Sequence, residues 1–325
     1  MRIERNFLPT PVPPQSLCWS GDALVDWVSG GLRHGLDGET LDPHVRYGYR
    51  FDAAVMSPDG RYTVLHERLG TKALLLREGE LVRELSRSYY HAEVYEYPVA
   101  LWTLPGGRTL LAHCPDEYCR IELEDAETGE WLTRRDSPPV DVFHSRLQFS
   151  RDGRFLLSAG WIWHPVNAAH VFDVTRALEQ PSTLDSPVEF SLGDGFVEIH
   201  AAAFGARDTV LLECEGLDEA EPGRTHLVVY SPTERRELSR VPLQEPAGTL
   251  MPLGERYALC LYQHPRLIEL ATGRVEERWP ELETGRQCGS IIHHIPRPPP
   301  LALDPEGGRL AVGTAKGIEV LRFHL

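Results

Sequence analysis

Ala53-Ala54-Val55-Met56-Ser57-Pro58-Asp59-Gly60-Arg61-Tyr62-Thr63-Val64-Leu65 sets a tight turn between two short apolar runs. Asp-Gly supplies the positive φ that a two-stranded hairpin needs, so the stretch reads as strand, turn, strand. Related turns stand at Leu104-Pro105-Gly106-Gly107-Arg108, Ser150-Arg151-Asp152-Gly153-Arg154 and Asp304-Pro305-Glu306-Gly307-Gly308-Arg309. The first three recur at a period of roughly 46 residues. Behind the first turn follow two further runs, Ala73–Leu76 and Leu81–Leu85, joined by Glu78-Gly79-Glu80. Four short antiparallel strands in one such period make the blade of a β-propeller.

Seven segments overlay in this way, with inner strands starting near Leu17, Ala53, Val99, Leu147, Ala201, Leu250 and Leu301. Outside a possible helical turn at Thr175–Glu179 there is no 3.6-residue apolar period, so the chain reads as all-β. The last segment offers only three strands. Arg2–Leu8 alternates, belongs to no segment, and can supply the fourth, which would hide an otherwise unpaired sheet edge. The expectation is a single domain over 1–325: a seven-bladed β-propeller of four-stranded antiparallel blades, with residues 1–9 as the closing strand. Six blades remain open if Leu17–Leu41, the shortest segment, is an irregular extension.

The Phe-Ser-x-Asp-Gly-Arg motif between apolar runs, best seen over Leu147–Leu157, resembles bacterial WD40-like repeats. So do the Glu127-Thr128-Gly129-Glu130 and Ala271-Thr272-Gly273-Arg274 turns between third and fourth strands. No blade ends in Trp-Asp or begins with Gly-His, so the structural tetrad of the eukaryotic family does not carry over. The resemblance implies a platform for binding other proteins rather than an enzyme.

The 325 residues are 42% hydrophobic and 25% charged, as in ordinary globular proteins, and carry a net charge of −15. That acidity argues against nucleic-acid binding, which neutralises phosphates with Lys and Arg. No run approaches the about 18 apolar residues of a membrane-spanning helix, and Met1–Gln15 lacks the apolar core of a secretory signal, so no membrane and a cytoplasmic location are expected. Cys18, Cys114, Cys119, Cys214, Cys260 and Cys288 form no CxxC pair, and free thiols are expected.

In a propeller the connections between second and third strands share a face with those between blades, while the tight hairpins lie opposite. The long, unusual loops here fall on the first face, where function concentrates. Tyr89–Tyr97 holds four of the eleven tyrosines, among them Tyr90, Tyr95 and Tyr97, next to His91. Gly160–Pro165 places Trp161 and Trp163 in an expected loop, and Gly289–Pro300 carries His293 and His294 before four prolines. Tyr and Trp offer large apolar area with a polar handle, which suits a binding surface. The alternative is that these rings pack between blades. His144, His200, His293 and His294 lie just before inner strands and could ring the channel mouth as bases or metal ligands.

No G-x-S-x-G, H-E-x-x-H, P-loop or G-x-G-x-x-G motif is present, and the acidic stretch Glu213–Glu221 lacks the alternation of a calcium loop. The function expected is a non-enzymatic scaffold binding a protein or peptide through the long-loop face, at Tyr90, His91, Tyr95, Tyr97, His144, Trp161, Trp163, His200, His293 and His294. No catalytic residue, cofactor or metal is assigned. The alternative is a hydrolase or lyase with a histidine-based, possibly metal-dependent site at the channel mouth.

Overall fold

The turns that define the repeat fold as the spacing predicts, and their polar residues explain one another. Ser57 Oγ donates to Asp59 Oδ1 at 2.6 Å and accepts from the Tyr62 amide, while the Arg61 amide donates to Asp59 Oδ1. Ser150, Asp152, Arg154 and Phe155 repeat every one of these bonds, with Ser150 Oγ again 2.6 Å from Asp152 Oδ1. Gly60 and Gly153 close both turns at φ +75° and +69°, where only glycine avoids a Cβ penalty. The motif is therefore a self-contained turn in which Ser, Asp and Gly each satisfy backbone groups the hairpin leaves open.

The computed structural model describes residues 2–163, 165–188, 190–192, 197–216 and 223–324. Seven antiparallel sheets form the ring, six following chain order and the seventh joining the N-terminal strand to the last three. Their inner strands are Cys18–Ser20, Ala53–Met56, Val99–Thr103, Gln148–Phe149, Ile199–Phe204, Leu250–Leu253 and Leu301–Asp304. The shortest segment is a complete blade, with strands Cys18–Ser20, Ala23–Asp26, Leu32–Gly35 and Thr40–Leu41, so the count is seven. Arg2–Pro9 pairs antiparallel with Gly317–His324, Leu8 opposite Ile318 and Ile3 opposite Phe323, and is the outermost strand of the seventh blade. The ring closes on its own N-terminal strand.

Each sheet buries both faces, so the core is divided into seven apolar clusters, one per junction between neighbouring blades. Val64 and Leu75 of the second blade meet Leu101 and Leu111 of the third, and Leu110 and Leu123 of the third meet Leu156 and Phe172 of the fourth. Strands with two buried faces read as continuous apolar runs, which is why Leu74-Leu75-Leu76 and Val210-Leu211-Leu212 do not alternate.

Blades three and four depart from the pattern at their outer edges. The fourth position of blade three is an isolated bridge, Glu124 to Trp131, where the sequence suggests a full outer strand. In blade four it is a bridge between Val171 and Val188, reached through a helix, Val174–Glu179, capped by Asp173 and followed by a 3-10 turn, Pro181–Asp185. Arg135 ties the two together, donating to both oxygens of Asp185 at 2.8 and 2.9 Å and to the Ile121 carbonyl at 3.0 Å. The six cysteines are free, five of them buried.

Candidate functional site

Seven apolar clusters account for the ring, and an eighth lies outside it. Tyr95, Phe143 and Trp161 are buried together, with Tyr118 and Ile291 packed against them. The rings form a ladder: Phe143 lies on Trp161 at 3.8 Å between centroids and 7° between planes, and Tyr118 covers the other side of Phe143 at 4.2 Å. Phe143 and Trp161 also exchange backbone hydrogen bonds. That approach depends on Gly160, where a Cβ would fall 1.9 Å from the Phe143 carbonyl oxygen.

The loop bearing Tyr89 to Tyr97 is folded around one buried arginine. Arg87 donates to the carbonyls of Gly70, Ala92, Tyr95 and Glu96, at 2.7 to 3.2 Å. Its guanidinium also lies 4.6 Å from the Tyr95 ring centre and 5.0 Å from that of Tyr97. A planar five-donor group can serve more carbonyls at once than the three donors of an ammonium. Sequence reading passed over Arg87 because its partners are backbone atoms, which leave no residue signature.

These contacts divide the expected site residues. Tyr95 (0% exposed) and Trp161 (4%) form the base of the ladder, and Tyr97 packs in the junction of blades two and three against His66. Trp161 lies in the strand Phe155–Ile162, not in a loop, because its strand runs longer than the repeat suggests. These three rings are interior packing and present no surface to a partner. Tyr90 (46% exposed) and Trp163 (39%) remain outside, with centroids 6.1 Å apart, and His91 sits edge-on to both at 4.6 and 5.5 Å. Tyr89, still more exposed, stands beside them. The result is an open aromatic patch on a rigid aromatic floor. Tyr118 and Phe143, which complete it, come from other blades, and only the three-dimensional ring brings them here. The loops that carry the patch also carry exposed carboxylates, Glu93, Asp116, Glu117 and Asp141, the last accepting from Tyr118 Oη at 2.5 Å. Arg120 pairs with Glu117 at 3.2 Å.

The channel is lined by residues of all seven blades and encloses about 360 Å³. Its mouth on the long-loop face is crossed by the connection from blade six to blade seven. That segment reaches blade three on the far side of the ring: Ile292 N donates to Val94 O, Glu96 N donates to Ser290 O, and Tyr95 bridges Ile291. It then returns past Arg68 and Arg297, which reach Pro298 O and Asp52 O. Beneath it Glu96 lies 3.6 Å from Arg146 and 4.0 Å from Arg68, and accepts from Gln287 at 2.5 Å. The proline-rich stretch is thus a strap over the channel.

The four histidines occupy three different settings. His144 is buried, its Nδ1 3.0 Å from Ser158 Oγ, and burial drives its pKa down to about 3. His293 and His294 are exposed on the strap, their rings 5.2 Å apart. His200 stands apart from both settings, in blade five, facing Glu198 and Glu215. Of the acidic stretch Glu213–Glu221, residues 217–222 lie outside the described residues.

No protein-family model matches the sequence, and no curated protein does. Solved structures do. Hydrazine synthase from Kuenenia stuttgartiensis superposes with a TM-score of 0.61 at 13% identity, over 98% of each chain. BamB from Moraxella catarrhalis gives 0.56 at 14% identity, over 98% of this chain and all of the other. The computationally designed Ika8 protein gives 0.53 at 13%, over 98% of each. At such identities the likeness is one of fold. The fold and the site define a seven-bladed β-propeller with an aromatic patch on its long-loop face.

Proposed function

We propose that this chain is a non-enzymatic interaction module, built from WD40-like repeats, that docks a cationic protein segment on the patch formed by Tyr89, Tyr90, His91, Tyr118 and Trp163. The observation that carries this reading is the eighth apolar cluster. It contributes to no blade junction, yet it stacks aromatic rings under others that stay in solvent. Clustered exposed aromatics are unfavourable on a solitary soluble protein and mark interaction surfaces. The carboxylates around them select a basic partner, whose Arg or Lys groups gain from both charge and ring faces.

The test is binding of the full chain to an array of basic, neutral and acidic peptides, repeated with Trp163→Ala and Tyr90→Ala. Basic peptides should bind, and each variant should lose about 2 kcal/mol of affinity, roughly 30-fold. Indifference to peptide charge, or unchanged affinity in both variants, overturns the reading.

A further inference from the structure

The second strand pair of interest lies in blade five. The inner strand Ile199–Phe204 pairs with Val210–Glu215, and the register shifts between Ile199 and Ala201, leaving His200 as the extra residue of a β-bulge. Bulges re-aim a side chain and are common beside functional sites. Here the imidazole points between two carboxylates: Nδ1 lies 3.7 Å from Glu198 Oε1 and Nε2 lies 3.9 Å from Glu215 Oε1. Both separations are too long for hydrogen bonds. They place the imidazole between the two carboxylates, with a single nitrogen to give to an ion that the carboxylates share.

We infer that Glu198, His200 and Glu215 form a binding site for a first-row divalent cation of the zinc or manganese kind. One ligand atom from each residue can be chosen so that all three lie within 4.8 Å of one another. The donor set decides the class: an imidazole with two carboxylates and no thiolate suits zinc or manganese, whereas calcium and magnesium take oxygen ligands. Glu198 is held for the task, since Asn167 donates to its Oε1 twice, from the backbone amide at 2.9 Å and from Nδ2 at 2.7 Å.

A second, independent observation points the same way. Glu213, 1% exposed, leaves its Oε1 without a hydrogen-bond donor, although Gly248 N reaches its Oε2 at 3.3 Å. Glu213 stands two residues before Glu215 in one strand, so both side chains leave the same face of the sheet, and the unpartnered oxygen is a further acceptor on that face. Glu198 and His200 are half-buried and Glu215 is exposed, so an ion can enter from solvent and keep open positions for water.

Calorimetric titration of the full chain with Zn²⁺, Mn²⁺ and Ca²⁺ tests the site. Zn²⁺ or Mn²⁺ should bind at one equivalent with a dissociation constant in the micromolar range or tighter, and Ca²⁺ should not compete. His200→Ala and Glu215→Gln should each weaken binding by at least about tenfold. Glu215 is exposed at a strand end, so Glu215→Gln keeps the test independent of folding. Absence of binding below millimolar concentration overturns the inference. So does affinity that survives both variants and disappears with His293→Ala, which would place the ion on the strap.

Discussion

The two faces of the disc are built on opposite terms. On the hairpin face, the turns of blades two and four are held by the same bonds among residues at most five apart: Ser to Asp, Ser to the following apolar amide, Asp to Arg. On the long-loop face no loop repeats another. Its order comes from contacts between residues farther apart: Arg87 reaching carbonyls up to 19 residues away, the strap pairing with Val94, and Phe143 on Trp161. Local bonding produces many copies of one turn, and long-range bonding produces one copy of each site. Repetition belongs to the first face, and the aromatic patch and the strap to the second.

The sharpest way to break this comparison is to remove Arg87. Arg87→Ala strands several buried carbonyls and two aromatic faces, and should cost about 5 kcal/mol, read as a shift in the denaturant midpoint. Arg87→Lys should recover only part of it. A loss no larger than that of a single hairpin substitution would mean that the long loops hold themselves.

Acid should act on the same face. His66 is buried at the long-loop end of its strand and His144 in the connection from blade three to blade four, and burial drives both from 6.5 down to about 3. Between those values the unfolded chain binds protons that the folded chain refuses, so stability is full above about pH 6.5 and falls as the pH drops towards 3. From pH 7 to pH 5 the pair should account for roughly 4 kcal/mol of loss. Replacing both with Gln should flatten the pH dependence of the unfolding midpoint by that amount. An unchanged slope would show that the two imidazoles reach water.

On the hairpin face the effects should be smaller and equal. Ser57→Ala and Ser150→Ala each remove an acceptor from a buried amide and should cost about 1 kcal/mol apiece. Unequal costs would mean that the repeated sequence does not make a repeated physical unit. Smallest of all is Trp163→Ala, whose ring is partly in solvent. It should change stability by less than about 0.5 kcal/mol, while thermal unfolding of Phe143→Ala should show a core-like loss of about 3 kcal/mol. Comparable losses in the two would place Trp163 in the core.

The sequence was most legible where bonding is local. The closing strand at Arg2–Pro9, the blade starts and the short helix after Asp173 stand where the pattern placed them. The outer strands of blades three and four are the exceptions, each reduced to one bridge where Arg135 joins Asp185 of the next blade. The site was legible only in part. Tyr90 and Tyr95 stand five residues apart in one loop, and nothing in their composition tells the exposed ring from the buried one.

By itself the sequence determined the all-β class, the blade repeat and its closure, since hairpin turns and strand alternation are encoded within a few residues. Only the tertiary structure decided which aromatics meet solvent, where the strap runs, and that His200 rather than the other histidines faces two carboxylates. Those outcomes rest on side chains from different blades meeting after the ring has closed, and no spacing along the chain records such meetings.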